Sequence, residues 1–363
     1  MNNNSLDEIV KLTISIANPA SNAETFDTIL LIADKPTLDE GVTVKETSTL
    51  FSITRARDLE NWGFADGDEL YVAAEVAFNQ NPSPDKLIIA LKEDGETVTQ
   101  TLERAAGTYS FYGICVIEGG DSDIKMAVDY AEKNEKLVCV TVTTAVTDVS
   151  TVYNNYADSY RVLIFYGGDA DGYTEVPTEN KYLGLAVMAK CFGYEPGSES
   201  WAVKQIATCV PSALTSAQKT TLTNYNATVL LRYANNNVTS GGKVAAGEWI
   251  DVVRFRDWLK SEMQYSVFSV IKTNTKVPYT DEGIAMIEGA IEKVLVEGQT
   301  VGGIATTSYD DDGEEVPGYS ISVPLASSMS ETKRESRILT DIEWSARLAG
   351  AIHMVEVAGY LTA

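Results

Sequence analysis

The sequence predicts an α/β protein: a largely parallel sheet covered by helices, then a second α/β unit, with a strand-like arm at each end. Three observations carry this expectation. Between Ala65 and Gly193, short continuous apolar runs alternate with amphipathic stretches of helical length, the pattern of parallel strands joined by crossover helices. From Ser216 a new series begins that contains two long helical patterns. Both chain ends alternate apolar and polar residues with period two, as strands do.

In chain order, "KLTISIANPA" alternates Leu12, Ile14 and Ile16 with Thr13 and Ser15, a strand that Asn18-Pro19 ends because proline cannot continue a ladder. "FDTILLIADKP" is continuously apolar from Ile29 to Ala33, suiting burial on both faces. "ADGDELYVAAEVAFNQNP" is helical, with Leu70, Ala73, Ala74, Ala77 and Phe78 on one face and Pro82 as the stop. The strand "DKLIIAL", a helix near Val98 to Ala106 and the strand "TYSFYGICVI" follow. Next comes the helix "DSDIKMAVDYAEKNE", capped by Asp121 or Ser122. The strands "KLVCVTV" and "YRVLIFYG" lead to the helix "PTENKYLGLAVMAKCFG".

The second unit starts with a helix and a strand containing Val229, Leu230 and Leu231. "GEWIDVVRFRDWLKSEMQYSVFSVIKT" reads as a short strand into a long helix. In "YTDEGIAMIEGAIEKVLVEG", Ile284, Ile287, Ile291 and Leu295 form one face, Thr280 or Asp281 caps, and Gly298 ends the helix. "GYSISVPLASSM" is a strand, and a basic turn precedes the ribbon Leu339–Ala363. There Ile342, Trp344, Ala346, Leu348, Ile352 and Met354 alternate with polar residues, and the apolar face switches sides at Val355 and Val357.

Composition narrows the function. A net charge of −24 over 363 residues opposes nucleic-acid binding, which needs Lys and Arg against phosphate. It suits high local concentration or basic partners. "MNNNSLDEIV" has neither the basic start nor the apolar core of a signal peptide, and no apolar run is long enough to cross a bilayer, so a cytoplasmic, membrane-free product is expected. Cys115, Cys139, Cys191 and Cys209 lack paired zinc spacing and read as buried thiols.

Chemistry-bearing patterns are sparse. His353 is the one histidine, so a His-based triad or multi-histidine metal site is excluded, and it reads as an incidental strand residue. "EGGDSD", with Gly119-Gly120 between a strand and a helix, is similar to a phosphate-binding turn. Its aspartates would repel phosphate and it lacks a Walker lysine, so an ordinary turn fits better. The acidic run Asp310, Asp311, Asp312, Glu314 and Glu315 lacks the spacing of a calcium loop and reads as a solvated hairpin tip. No cofactor or catalytic residue is assigned.

"GEWIDVVRFRDWLKSEM", then "VPYTDEGIAMIEGAIEKVLVEG", then "ARLAGAIHMVEVAGYL" resemble, in this order, the C-terminal region of contractile tail sheath proteins. That family has an "xxRxRDxL" helix, a "PYTDxGI" helix and an "ARLxGAIHxVxVxG" strand pair. The resemblance covers about Thr220 to Ala363, with weaker echoes at "FDTILLIADKP" and "AAEVAFNQNPSPDKLIIAL".

The resemblance implies an N-terminal arm over 1–25, an inner-domain strand over 26–40, an outer α/β domain over 41–215, an inner sheath domain over 216–338 and a C-terminal strand arm over 339–363. It implies arms exchanged between subunits, through Leu12, Ile14 and Ile16 at one end and Ile352, Met354, Val355 and Val357 at the other. Candidate tube-facing residues are Asp281, Glu282, Glu288 and Glu292, or alternatively Arg254, Arg256 and Lys260. Implied partners are further copies of the chain in stacked rings, an inner tail tube, and baseplate and terminator proteins. Implied locations are the bacterial host cytoplasm during assembly, then a virion tail or phage-tail-like particle. The competing readings are a nucleotide-binding α/β enzyme using Gly119-Gly120, and another self-assembling shell protein.

Overall fold

The computed structural model describes residues 25–37, 44–310 and 312–358. At its centre, β1 (Ile29–Ala33) pairs in parallel with β3 (Leu87–Leu91) on one side and β4 (Gly113–Val116) on the other. Its five residues are all buried, as the unbroken apolar run requires. The parallel order continues through β5 (Leu137–Val142), β6 (Val162–Tyr166) and β7 (Thr228–Tyr233). Antiparallel strands close both edges, β2 (Leu50–Ile53) beside β3 and β8 (Asn236–Ser240) beside β7. The eight-stranded order is β2-β3-β1-β4-β5-β6-β7-β8.

The predicted mostly parallel α/β architecture is therefore present, but as one sheet. The strand expected of an inner domain, 26–40, lies at the heart of strands drawn from 41–215, and β7 continues the same sheet past position 215. The physical reason is that β6 and β7 both offer buried apolar runs, and pairing them satisfies backbone groups that a domain boundary would leave open.

Alternation along each strand sorts its side chains to two faces. Leu30, Ile32, Ile88, Val138 and Ile164 meet α2 (Val98–Ala106), α3 (Asp121–Asn134), α4 (Val149–Tyr156) and α6 (Ser216–Asn224). Ile29, Leu31, Ile89, Leu163 and Phe165 meet α1 (Glu69–Phe78), α5 (Leu183–Phe192) and α7 (Ile250–Thr273). α5 is buried on every side, and Gly184 lets it approach the sheet. A Cβ there would lie 2.7 Å from Phe165 and 3.0 Å from Cys139, so Gly184→Ala forces a shift.

Behind α7 packs α8 (Asp281–Thr300), whose Ile287, Ile291, Val294 and Leu295 are buried. Thr280 caps it, its hydroxyl accepting from the Gly283 amide. The helix runs past Gly298 to Thr300 because Gly298 is needed for close packing rather than as a stop. A Cβ at Gly298 would meet Ile304 at 2.8 Å. Gly120, with no side-chain bond, occupies the cap expected of Asp121 or Ser122. The short strand expected before α7 is a single bridge, Lys243 to Trp249.

Two small sheets follow. β9 (Thr307–Tyr309) and β10 (Glu315–Pro317) form a hairpin around the acidic run, where Asp310 Oδ1 accepts from the amides of Asp312 and Glu314. β11 (Tyr319–Ser322) pairs with β12 (Glu343–Ala346), Ile321 opposite Trp344. Between them the expected basic turn is a short helix, α9 (Glu331–Ser336), capped by Ser330. The long terminal strand predicted from sequence is thus confined to β12. Beyond a bridge from Leu348 to Ile304, residues 351–358 carry no strand and pair with no strand among the described residues.

Candidate functional site

The C-terminal candidates stand open. Ile352, Met354, Val355 and Val357 are 85%, 78%, 72% and 88% exposed, a concentration of bare apolar side chains that contrasts with the buried residues of the sheet. Soluble chains cover such patches with a partner. His353, expected in a strand, instead sets its ring edge-on against Trp249 at 4.6 Å between centroids. The N-terminal candidates Leu12, Ile14 and Ile16 lie outside the described residues.

The acidic candidates fall on α8. Asp281, Glu282 and Glu292 are exposed and Glu288 is half-buried. Three of them have partners in the chain: Asp281 Oδ1 accepts from the Ala326 amide at 2.7 Å, Glu292 Oε1 accepts from Tyr319 at 3.3 Å, and Glu282 is hydrogen-bonded by the Thr280 side chain. The same helix also exposes Met286 and Val296, so its outer face mixes carboxylates with apolar side chains.

The basic alternative fails. Arg254 and Arg256 are 1% and 6% exposed, and Lys260 is equally buried, so none presents a charge to a tube. They serve a buried ion network between α7 and the sheet. Asp257 receives Tyr112 Oη at 2.7 Å, Arg256 at 2.8 Å and the Arg161 guanidinium. Glu135, in the left-handed region after α3, lies 3.5 Å from Arg161 and 3.7 Å from Lys260. Arg254 pairs with Glu199 at 2.6 Å and donates to the carbonyls of Phe26 and Tyr194, each at 2.8 Å.

The network's electrostatics are uneven. Burial opposes the charge of Asp257, but Arg161 and Arg256 hold its carboxyl below the ordinary range. Burial, with repulsion from Asp257, pushes Glu135 up to about 7 against the pull of Arg161 and Lys260. Its Oε1 has no hydrogen bond. Ions removed from water this way are stable only when paired.

The Gly119-Gly120 turn has the form of a tight connection. A Cβ on Gly119 would lie 2.4 Å from Val116, so glycine there serves close packing. The first turn of α3 carries Asp121 and Asp123, which place negative charge where a phosphate would sit. Nearby Lys92 is engaged by Asp34 at 3.0 Å and Asp123 at 3.8 Å. A shallow cleft beside it is lined by Asp34, Lys35, Lys92, Glu93, Asp94 and Glu96, more acid than base.

The described residues thus combine a mostly parallel eight-stranded sheet, two packed helices α7 and α8, and a segment of exposed apolar side chains. Solved structures share the fold. A chain from the contracted helical sheath of the anti-feeding prophage superposes with a TM-score of 0.67 at 11% identity, covering 97% of this chain and 99% of its own. A chain of the PVC extracellular contractile injection system sheath, also contracted, gives 0.65 at 12%, covering 97% and 96%. The sheath tail protein from Desulfitobacterium hafniense gives 0.54 at 9%, covering 86% and 93%. Residues 250–361 match the family described as the E217 tail sheath protein gp31-like C-terminal domain. The resemblance of the C-terminal region to contractile tail sheath proteins, read from its sequence motifs, is thereby borne out. No curated protein matches the chain.

Proposed function

We propose that this chain is the structural subunit of a contractile tail sheath, one that polymerises as stacked rings around an inner tube and shortens to drive that tube through a cell envelope. Neighbouring copies are linked by exchanged strand arms. The observation that carries the reading is the tail: Ile352, Met354, Val355 and Val357, four large apolar side chains within six residues, are each at least 72% exposed. Added to a neighbour's open sheet edge, such a segment gains ladder hydrogen bonds, and its alternate side chains fix the register. Extended over Ala349–Leu361 it would reach about 40 Å, enough to cross to another subunit.

On this reading the work of contraction comes from subunit packing, and the chain is not an enzyme. Leu12, Ile14 and Ile16 form the other half of the linkage. The exposed Glu282 and Glu292 and the half-buried Glu288 on α8 meet basic groups of the tube, and the ends of the polymer meet baseplate and terminator proteins. Assembly takes place in the bacterial cytoplasm, and the product is a virion tail or a phage-tail-like particle. Negative-stain microscopy of the expressed protein tests this: striated tubes are expected, and a monodisperse monomer at high concentration would refute it.

A further inference from the structure

Both chain ends join the body on the same short stretch of α7, from two sides. Where the N-terminal segment enters, the Phe26 carbonyl accepts from Arg254 at 2.8 Å. The Phe26 ring lies 5.0 Å from that of Tyr112, whose hydroxyl donates to Asp257 at 2.7 Å. Where the C-terminal segment leaves, the Ala349 amide donates to Gly303 at 3.0 Å. Gly303 lies against the Phe255 ring so closely that a Cβ would approach it to 2.4 Å. Four residues on, His353 meets Trp249, the residue that caps α7.

Helical geometry separates these contacts. At about 100° per residue, Arg254 and Asp257 share one side of α7 while Phe255 lies well round from them. The stretch is also where the helix is tied by charge to the rest of the fold, since Arg254 and Asp257 belong to the buried ion pairs with Glu199, Arg161 and Arg256. Breaking such pairs singly exposes an uncompensated charge.

We propose that Trp249–Asp257 is a common anchor for the two chain ends, so that load on one arm is passed to the other through α7. This rests on the sheath reading for its purpose, because a subunit held by neighbours at both ends must carry tension between them. Arg254, Trp249 and Phe255 are then positioning residues for the arms. Gly303 is part of the anchor because any larger residue would lift the C-terminal segment off Phe255.

Coupling between the two ends must be reciprocal, and hydrogen exchange on the unassembled chain of 363 residues tests it without requiring assembly. His353→Ala removes the ring contact while leaving the ion network intact. An aromatic contact of this kind corresponds to about a two- to tenfold change in local opening. Exchange is expected to rise by that factor at Ala349, and measurably at the Tyr112 and Gly113 amides, which donate to Thr28 beside Phe26. β5 and β6 should be unchanged. The paired substitution Arg254→Met with Glu199→Gln, which leaves no orphan charge, should loosen Ala349 in return. If that variant fails to fold, Trp249→Leu together with His353→Ala still decides. A rise confined to the substituted end overturns the proposal. Tube formation scored separately by microscopy distinguishes failure of the sheath reading from failure of the anchor.

Discussion

The N-terminal half of α7 and the C-terminal tail lie against each other at Trp249 and His353, yet their chemistry is opposite. Between Ile250 and Lys260 nearly every side chain is buried, four charged residues included, and their partners are in the same chain. From Ile352 to Val357 the large apolar side chains are bare. Polarity therefore does not tell inside from outside in this molecule. What decides is whether a side chain finds its partner among the described residues, and Ile352, Met354, Val355 and Val357 stay exposed.

The largest effect should come from removing the tail. Deleting 349–363 takes away Ile352, Met354, Val355 and Val357, each worth about 1.5–3 kcal/mol when fully buried elsewhere. The loss recurs at every subunit of a lattice, so tubes should vanish. Because these side chains bury little in their own subunit, the melting temperature should hardly move. Size-exclusion chromatography with circular dichroism checks both: folded small species are expected, and outright unfolding would mean that the tail belongs to the body.

Asp257→Ala is the converse. It strips Arg161, Arg256 and Tyr112 of their shared acceptor, and breaking a buried pair from one side costs about 3–5 kcal/mol. Urea denaturation should show that loss. If the body were as loosely committed as the tail, the loss would stay below 1 kcal/mol on the scale of surface substitutions.

This contrast explains which features the sequence revealed. Continuous runs such as Ile29–Ala33 announce strands buried on both faces, and the period of Ile284, Ile287, Ile291 and Leu295 announces α8. Neither pattern encodes which strand lies beside which, so the single sheet crossing position 215 was not legible. The short edge strand β2 carries too few residues to stand out. Arg254 and Arg256 were read as surface charges because charge usually is. The corrective signal was present: Val253, Phe255, Trp258 and Leu259 leave this stretch with no polar side, so its charges must be inside and paired. In the tail, alternation specified faces but not a partner backbone: among the described residues Glu343–Ala346 pairs with β11, Leu348 bridges to Ile304 and the Ala349 amide bonds Gly303, while 351–358 carry no strand.

A smaller effect separates charges within the body. Glu135 is raised to about 7 by burial and by Asp257, so between about pH 4.5 and 7 the folded state holds a proton that the unfolded state has released. Its contribution is most favourable below the unfolded value and declines as pH rises to about 7. Glu135→Gln should therefore match the parent near pH 4.5 and exceed it at pH 8 by about 1–3 kcal/mol. Asp257, held low, has the opposite sign: its stabilisation is present above the ordinary carboxylate range and is lost as acid protonates it. Thermal melts across pH test the pair. A parent and variant that melt alike at pH 8 would show that Arg161 and Lys260 compensate Glu135 fully.

The smallest effect lies on α8, which stands between the two extremes: its inner side is packed like the body and its outer side is open like the tail. Glu282, Glu288 and Glu292 are expected to meet basic groups on a tube, and exposed ion pairs are worth about 0–1 kcal/mol each and weaken with salt. Single Gln substitutions should leave both fold and tube binding nearly unchanged. The triple substitution should weaken co-assembly with the tube at low salt and make no difference at high salt, where the parent has already lost the same attraction. Sedimentation of sheath with tube across a salt series provides the measurement. A triple variant that binds as well as the parent at every ionic strength would move the tube contact off these carboxylates, leaving the exposed Met286 and Val296 on the same helix as the next residues to change.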